Sequence, residues 1–217
     1  TLTVSGTTDI DTSAGNGAIT LNTNTHSLNS LVVDSGTGNV DIDETDALTL
    51  QVDGAGDVTV DSVGALTLNA GSMANLTVTD ADSVTDAGVL SITSTADIDT
   101  SLANGNVDLN NNTHSIGTLM VDAGTGTLDI AETDELTLQV DNAGAVTVDT
   151  VGALTLNAGS MSSLTVSAAS SITDAGALTV TGATDLDTSV ANGNIDLDTA
   201  THSLNSLAVN AGTGTVD

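Results

Sequence analysis

Seven side chains are absent from this chain of 217 residues: it has no Lys, Arg, Cys, Pro, Phe, Tyr or Trp. Each absence excludes something. Without a basic side chain nothing can neutralise phosphates, so nucleic acid and anionic membrane surfaces are excluded as direct electrostatic partners. The 29 acidic residues and formal charge of −29 point instead to cations or cationic surfaces. No internal Lys or Arg salt bridge is possible, so the carboxylates must be solvated, bound to metal ions or partly protonated. Missing cysteine removes disulfides and thiol chemistry. Missing aromatics remove the usual bulk of a globular core and the stacking platforms of most carbohydrate sites. Trypsin-like and chymotrypsin-like proteases find no cleavage site, which suits exposure outside a cell.

Such a charge without aromatics can signal disorder. The apolar content of 39% and the mean hydropathy of +0.20 argue against it, and the internal order of the sequence argues more strongly. The chain repeats every 88 residues. Thr25, His26 and Ser27 return as Thr113, His114 and Ser115 and again as Thr201, His202 and Ser203, and the stretch from Gly64 to Met73 returns as Gly152 to Met161. A fixed period of this kind implies an architecture that grows by stacking. The repeats divide the chain into about 1–88, 89–176 and a partial 177–217, read as one continuous solenoid segment without separate domains. With Thr1 in first place and a break partway through a repeat at Asp217, the chain reads as an excerpt of a longer array.

Within each repeat, aliphatic residues alternate with Thr or Asp in short runs such as Leu128 to Ile130, Leu136 to Leu138, Val146 to Val148 and Leu154 to Leu156. Period-two alternation is the pattern of a half-buried strand, aliphatic inward and polar outward. Gly, Asn, Asp and Ser fill the joints, as at Asn104 and Gly105, where tight corners need positive φ or local side-chain bonds. No helical periodicity persists anywhere. The fold class is therefore all-β, a β-solenoid. Strands near 128, 146, 164, 178, 195 and 216 form one set, and those near 136, 154, 172, 186 and 207 a second. That spacing predicts two strands per coil of about 18 residues and five coils per repeat. At the ordinary strand separation one period then rises about 24 Å and the chain about 60 Å. A three-sided coil of about 29 residues also divides the period. A membrane β-barrel would need longer strands with an apolar outer face.

Outward residues of stacked coils form columns. One column is read as Asp129, Thr147, Thr165, Thr179, Asp196 and Asp217, which pairs Asp196 with Asp217 and, one period earlier, Asp108 with Asp129. Two carboxylates about 5 Å apart repel by about 1 kcal/mol even in water, and a bridging divalent cation would relieve this. Ca²⁺ fits because only hard oxygen ligands are on offer. Asp41 and Asp43, with Glu44 and Asp46, make a further candidate cluster that returns as Asp129, Glu132, Asp134 and Glu135. The alternative is a solvated acidic surface, and no copy has EF-hand spacing. The segment Gly36 to Asp41 and its copies resemble the calcium-binding nonapeptide turns of RTX proteins, although the glycine pair is missing.

His26, His114 and His202 lie about 24 Å apart in this reading, too far to share an ion. With no recurring acid in sequence beside them, they read as corner or surface residues. Met73 and Met161 read as gap fillers in the core. Threonine columns suggest an ice-binding face, but the flanking outward residues vary, as in Gln51 with Asp53 and Ala153 with Asn157. Nucleophilic triads, phosphate loops and zinc motifs have no match.

The tandem Leu-Thr-Val and Leu-Thr-Leu strands in a Thr, Asp, Asn, Ser and Gly-rich array resemble the repeat regions of giant bacterial surface proteins and filamentous-haemagglutinin-like adhesins. The resemblance implies an extracellular or cell-surface β-solenoid acting as stalk, filament or surface layer, with other copies of itself and cations as partners and no catalysis. The competing expectation is an adhesin segment recognising a surface or carbohydrate. A polysaccharide-degrading solenoid would need a nonrepeating acid and base constellation, and nothing interrupts the repeat.

Overall fold

Short aliphatic and polar alternations make strands because β-branched and aliphatic side chains pack well on a pleated surface while Thr and Asp face water. In the computed structural model, which describes all 217 residues, they form fifteen strands and a single short 3₁₀ turn at Ser13–Gly15. The strands are β1 (Thr3–Asp11), β2 (Ile19–Asp34), β3 (Val40–Glu44), β4 (Leu48–Ser62), β5 (Ala65–Thr79), β6 (Ser83–Asp86), β7 (Leu90–Asp99) and β8 (Val107–Asp122). They continue as β9 (Leu128–Glu132), β10 (Leu136–Thr150), β11 (Ala153–Ser167), β12 (Ser171–Asp174), β13 (Leu178–Asp187), β14 (Ile195–Asp196) and β15 (Ser203–Asn210). Every pairing is parallel, and all strands belong to one continuous sheet wound into coils. The long strands carry the chain from one broad face around an edge to the other, bending at register shifts such as that between Val52 and Ala55.

The register fixes the winding. On one face Thr7, Ser30, Thr49, Thr67, Thr85, Asp108, Asp129, Thr147, Thr165, Asp185 and Ala208 stack in order. On the other run Thr95, Thr118, Thr137, Thr155, Thr173 and Asp196. Successive coils are about 19 residues apart, so the chain makes about eleven turns of a β-solenoid. The three-sided coil of 29 residues is thereby excluded.

Coil count per repeat departs from the expected five. Ser30 reaches Asp108 after four coils and Asp129 after five. Its repeat equivalent, Thr118, sits between them in height but on the opposite face, in register with Thr95 and Thr137. One repeat is thus four and a half coils, and consecutive repeats are related by a half-turn with a rise of about 22 Å. The shortfall comes from unequal coils. Simple ones take 18 residues, as from Leu48 to Leu66, but those bearing the Thr100 to Gly105 turn take 23, as from Val84 to Val107. For the same reason the expected strand sets cross over after residue 164. Leu164 lies beside Thr184, Leu178 beside Gly159, and Ile195 between Ile172 and Val216.

Inward residues form one core of 48 side chains running the length of the rod, almost wholly Leu, Ile, Val and Ala. Met73 and Met161 are buried in it, filling the space left by Gly71 and Gly159 as expected. The wide corners repeat as well. Asn16, Asn104 and Asn192 take positive φ of 51°, 56° and 58°, and Gly36, Gly124 and Gly212 on the next coil take 64°, 60° and 60°. Each Asn Oδ1 accepts a backbone N–H from that coil: Thr37 at 2.9 Å, Thr125 at 2.9 Å and Thr213 at 3.0 Å. A Cβ on any of the three glycines would collide with this oxygen.

Candidate functional site

The outward carboxylates come first. Asp108 and Asp129 are in direct register, as expected, and Asn110 Nδ2 donates to Asp129 Oδ2 at 2.6 Å. Burial, together with the charges of Asp108 and Asp149, holds Asp129 above the usual carboxylate range. Asp196 and Asp217 are also on neighbouring coils, next to the bridge between Ile195 and Val216. Their charges, Asp196 foremost, raise Asp198. The column expected to link Asp129 with Asp196 through Thr179 does not exist: Thr165 faces Asp185, and Thr179 faces Ser160 and Ser203. Asp41 stacks between Thr20 and Thr59, whereas Asp43 faces Asp61. Burial, then Asp43 and Asp80, raise Asp61. No group of three or more His, Asp or Glu side chains is arranged to hold a metal ion. The aspartates meet as pairs, so a Ca²⁺ ion on any of them would take most of its six to eight oxygens from elsewhere.

Glu44 does not belong to the outward cluster. It lies inside at 1% exposure, as does its equivalent Glu132. Both continue the inward parity of their own strands, Val40 and Ile42 before Glu44 and Leu128 and Ile130 before Glu132. The facing strand bulges beside each, where pairing shifts between Leu21 and His26 and between Leu109 and His114. The shift takes backbone donors away from carbonyl partners, and buried donors must be satisfied. Glu44 accepts the N–H groups of Leu28 and Thr45, both at 3.0 Å. Glu132 accepts those of Ile116 and Thr133, also at 3.0 Å. Burial pushes the Glu132 carboxyl up to about 7 and raises Glu44 in the same direction.

The histidines complete these corners, in keeping with the corner reading, but acids do stand beside them. His26 and His114 are in register with Glu44 and Glu132 on the next coil. Their Nδ1 atoms accept the N–H groups of Leu2 and Leu90 at 3.0 Å, and His202 Nδ1 accepts that of Leu178 at 3.1 Å. Below His114 lies the buried Asp86, with Oδ2 3.6 Å from Nε2, and below His202 lies Asp174 at 3.4 Å. Asp86 is held by the Asn111 N–H and Asn112 Nδ2, and Asp174 by the N–H groups of Thr199 and Ala200. An acid, an imidazole and a second acid therefore stack on three successive coils: Asp86, His114 and Glu132.

The chemistry open to this stack is narrow. Because Nδ1 accepts a backbone N–H, its lone pair is committed and the ring proton must sit on Nε2, facing Asp86. Neither ring nitrogen can then ligate a metal or take a proton from a substrate without breaking the corner. His114 is wholly buried and its burial lowers its basicity, with Asp86 opposing. The two surface clefts, one beside Thr3, Ser27 and Asp46 and one beside Asp61, Asp80 and Leu102, have no histidine in their walls. What the stack does is tie coils together.

Comparison with known proteins places the repeat itself. A family model described as Repeats of unknown function (DUF5649) matches residues 1–35, 55–123 and 143–216, which together are most of the chain. The second and third matches begin one 88-residue period apart. No curated protein and no solved structure shows significant similarity to the chain.

Proposed function

We propose that this chain, which belongs to that family of repeats, serves as a structural rod at a bacterial cell surface, a segment of a filament, stalk or surface layer. The observation that carries the reading is the unbroken stack: the broad-face columns continue from coil to coil over a single aliphatic core. Stacked repeats add length and stability together, since each coil is stabilised by its neighbours. Parallel strand edges at the end of such a rod present unpaired donors and acceptors to another copy, which supports growth by end-to-end stacking. Both broad faces carry carboxylates without a compensating cation, so lateral contact between rods would call for divalent ions or acid. In that setting the pairs Asp108 with Asp129 and Asp196 with Asp217 are where Ca²⁺ would relieve repulsion.

Electron microscopy of the purified chain tests the reading. Rods of uniform width that join into longer filaments, with a half-turn repeat of about 22 Å, support it. Dispersed short particles at every concentration and ionic condition count against assembly.

A further inference from the structure

His114 and Glu132 face each other across adjacent coils, and each grips the backbone with a group that can gain or lose a proton. The grip of His114 on Leu90 exists only while Nδ1 is unprotonated. Glu132 is buried at 1% exposure in a chain without a Lys or Arg to compensate its charge. The other titratable groups bearing on the two are Asp86, against the His114 ring, and Asp134, in the turn after Glu132; the coil beyond contributes Thr150, which is neutral. The same register of imidazole over acid recurs at His26 and Glu44.

We propose that His114 and Glu132 form a pair of reversed protonation, a neutral imidazole beside a carboxylic acid while the corner is closed, which exchange their charge states when it opens. In water the acid gives up its proton and the imidazole takes one, so opening releases one proton and binds one. The two demands on pH then cancel. The corner becomes a compensated joint whose hold on three coils is indifferent to pH across the mildly acid range, although each member alone would make it sensitive. Burial raising Glu132 and lowering His114 is in keeping with that assignment. The inference concerns the joint itself and stands whether or not the rod forms filaments.

Hydrogen exchange by NMR on the whole chain tests it, following the amides of Leu90, Ile116 and Thr133 against those of Leu154 and Leu164 as a distant reference. In His114→Asn, which keeps an acceptor for Leu90 but cannot titrate, protection of Ile116 and Thr133 should fall with rising pH, approaching tenfold per unit between about 5 and 7. In Glu132→Gln, protection of Leu90 should fall as pH drops below about 6.5, with a similar limiting slope. The unaltered chain should change by less than about threefold between pH 5 and 6.5, because the two linkages oppose. A steep slope in the unaltered chain, or flat profiles in both variants, would overturn the pairing. Ring ¹⁵N and carboxyl ¹³C shifts of the unaltered chain give a reading that does not depend on the variants folding. An unprotonated Nδ1 with a protonated Glu132 at pH 6 supports the proposal, and an imidazolium beside a carboxylate refutes it.

Discussion

Replacing Gly124 by Ala should destabilise the rod measurably, and its cost can be worked from the corner it occupies. Gly124 has φ +60°, a region that costs an L-residue about 1–2 kcal/mol. Its new methyl would also meet Asn104 Oδ1, the atom that accepts the Thr125 N–H at 2.9 Å. If the Asn side chain swings away, that hydrogen bond is lost at about 0.5–1.5 kcal/mol. The sum is about 1.5–3.5 kcal/mol for one methyl group. Asn104→Gly alone keeps the positive φ accessible and loses the hydrogen bonds that the Thr125 N–H and Oγ1 donate to Asn104 Oδ1, the backbone one contributing about 0.5–1.5 kcal/mol and the exposed hydroxyl less. Combining the two removes the collision, so the double variant should be more stable than the sum of the single effects predicts. Urea unfolding followed by far-UV circular dichroism reads all four chains, since no aromatic residue offers a fluorescence signal. Gly124→Ala within about 0.5 kcal/mol of the original, or strict additivity in the double variant, would refute the stacked Asn and Gly account of the corner.

Two further expectations concern the carboxylates. Glu132 has its folded value raised from 4.5 to about 7, so its contribution is complete below the unfolded value and is lost as pH rises through 7. Between pH 5.5 and 7.5 this is about 2 kcal/mol, to be measured as the difference in urea-unfolding pH dependence between the original chain and Glu132→Gln; parallel curves would contradict it. Addition of Ca²⁺ should raise the thermal midpoint of the β-sheet signal by relieving the repulsion between Asp108 and Asp129, and Asp129→Asn should diminish the rise. An identical melt with and without chelator would remove the ion from the account.

Much of the fold is legible because alternation and repetition are local signals. Leu136, Leu138, Val146 and Val148 announce inward positions by parity, and the copies of Gly64 to Met73 announce stacking. The number of coils per repeat is not legible in this way, since it depends on how many residues each corner absorbs. The turn from Thr100 to Gly105 adds residues to its coil without any change in the strand pattern on either side. The buried corners had a signal that composition hid. Val40, Ile42 and Glu44 share one parity, as do Val84 and Asp86, and His114 and Ile116, so alternation alone turns these polar residues inward. Treating Glu44 and Glu132 as members of an acidic surface overrode that parity. Asp86 and His114 are 28 positions apart in sequence and come together on neighbouring coils because the coil between them is long and the strand bulges before His114. Asp108 with Asp129 and Asp196 with Asp217 were correctly paired because each is separated by a single coil without a change of face.

The central claim is the half-turn winding of four and a half coils per repeat, and the absence of native cysteine makes it directly testable by crosslinking. Laterally paired residues of parallel strands stand about 4.8 Å apart, within disulfide reach. Thr165→Cys with Asp185→Cys should therefore oxidise to an intramolecular disulfide, read by mass spectrometry as the loss of both free thiols. Thr165→Cys with Thr179→Cys, neighbours only in the five-coil column that places Thr179 directly after Thr165, should remain reduced. Ready oxidation of the second pair and not the first would contradict the winding and the half-turn with it.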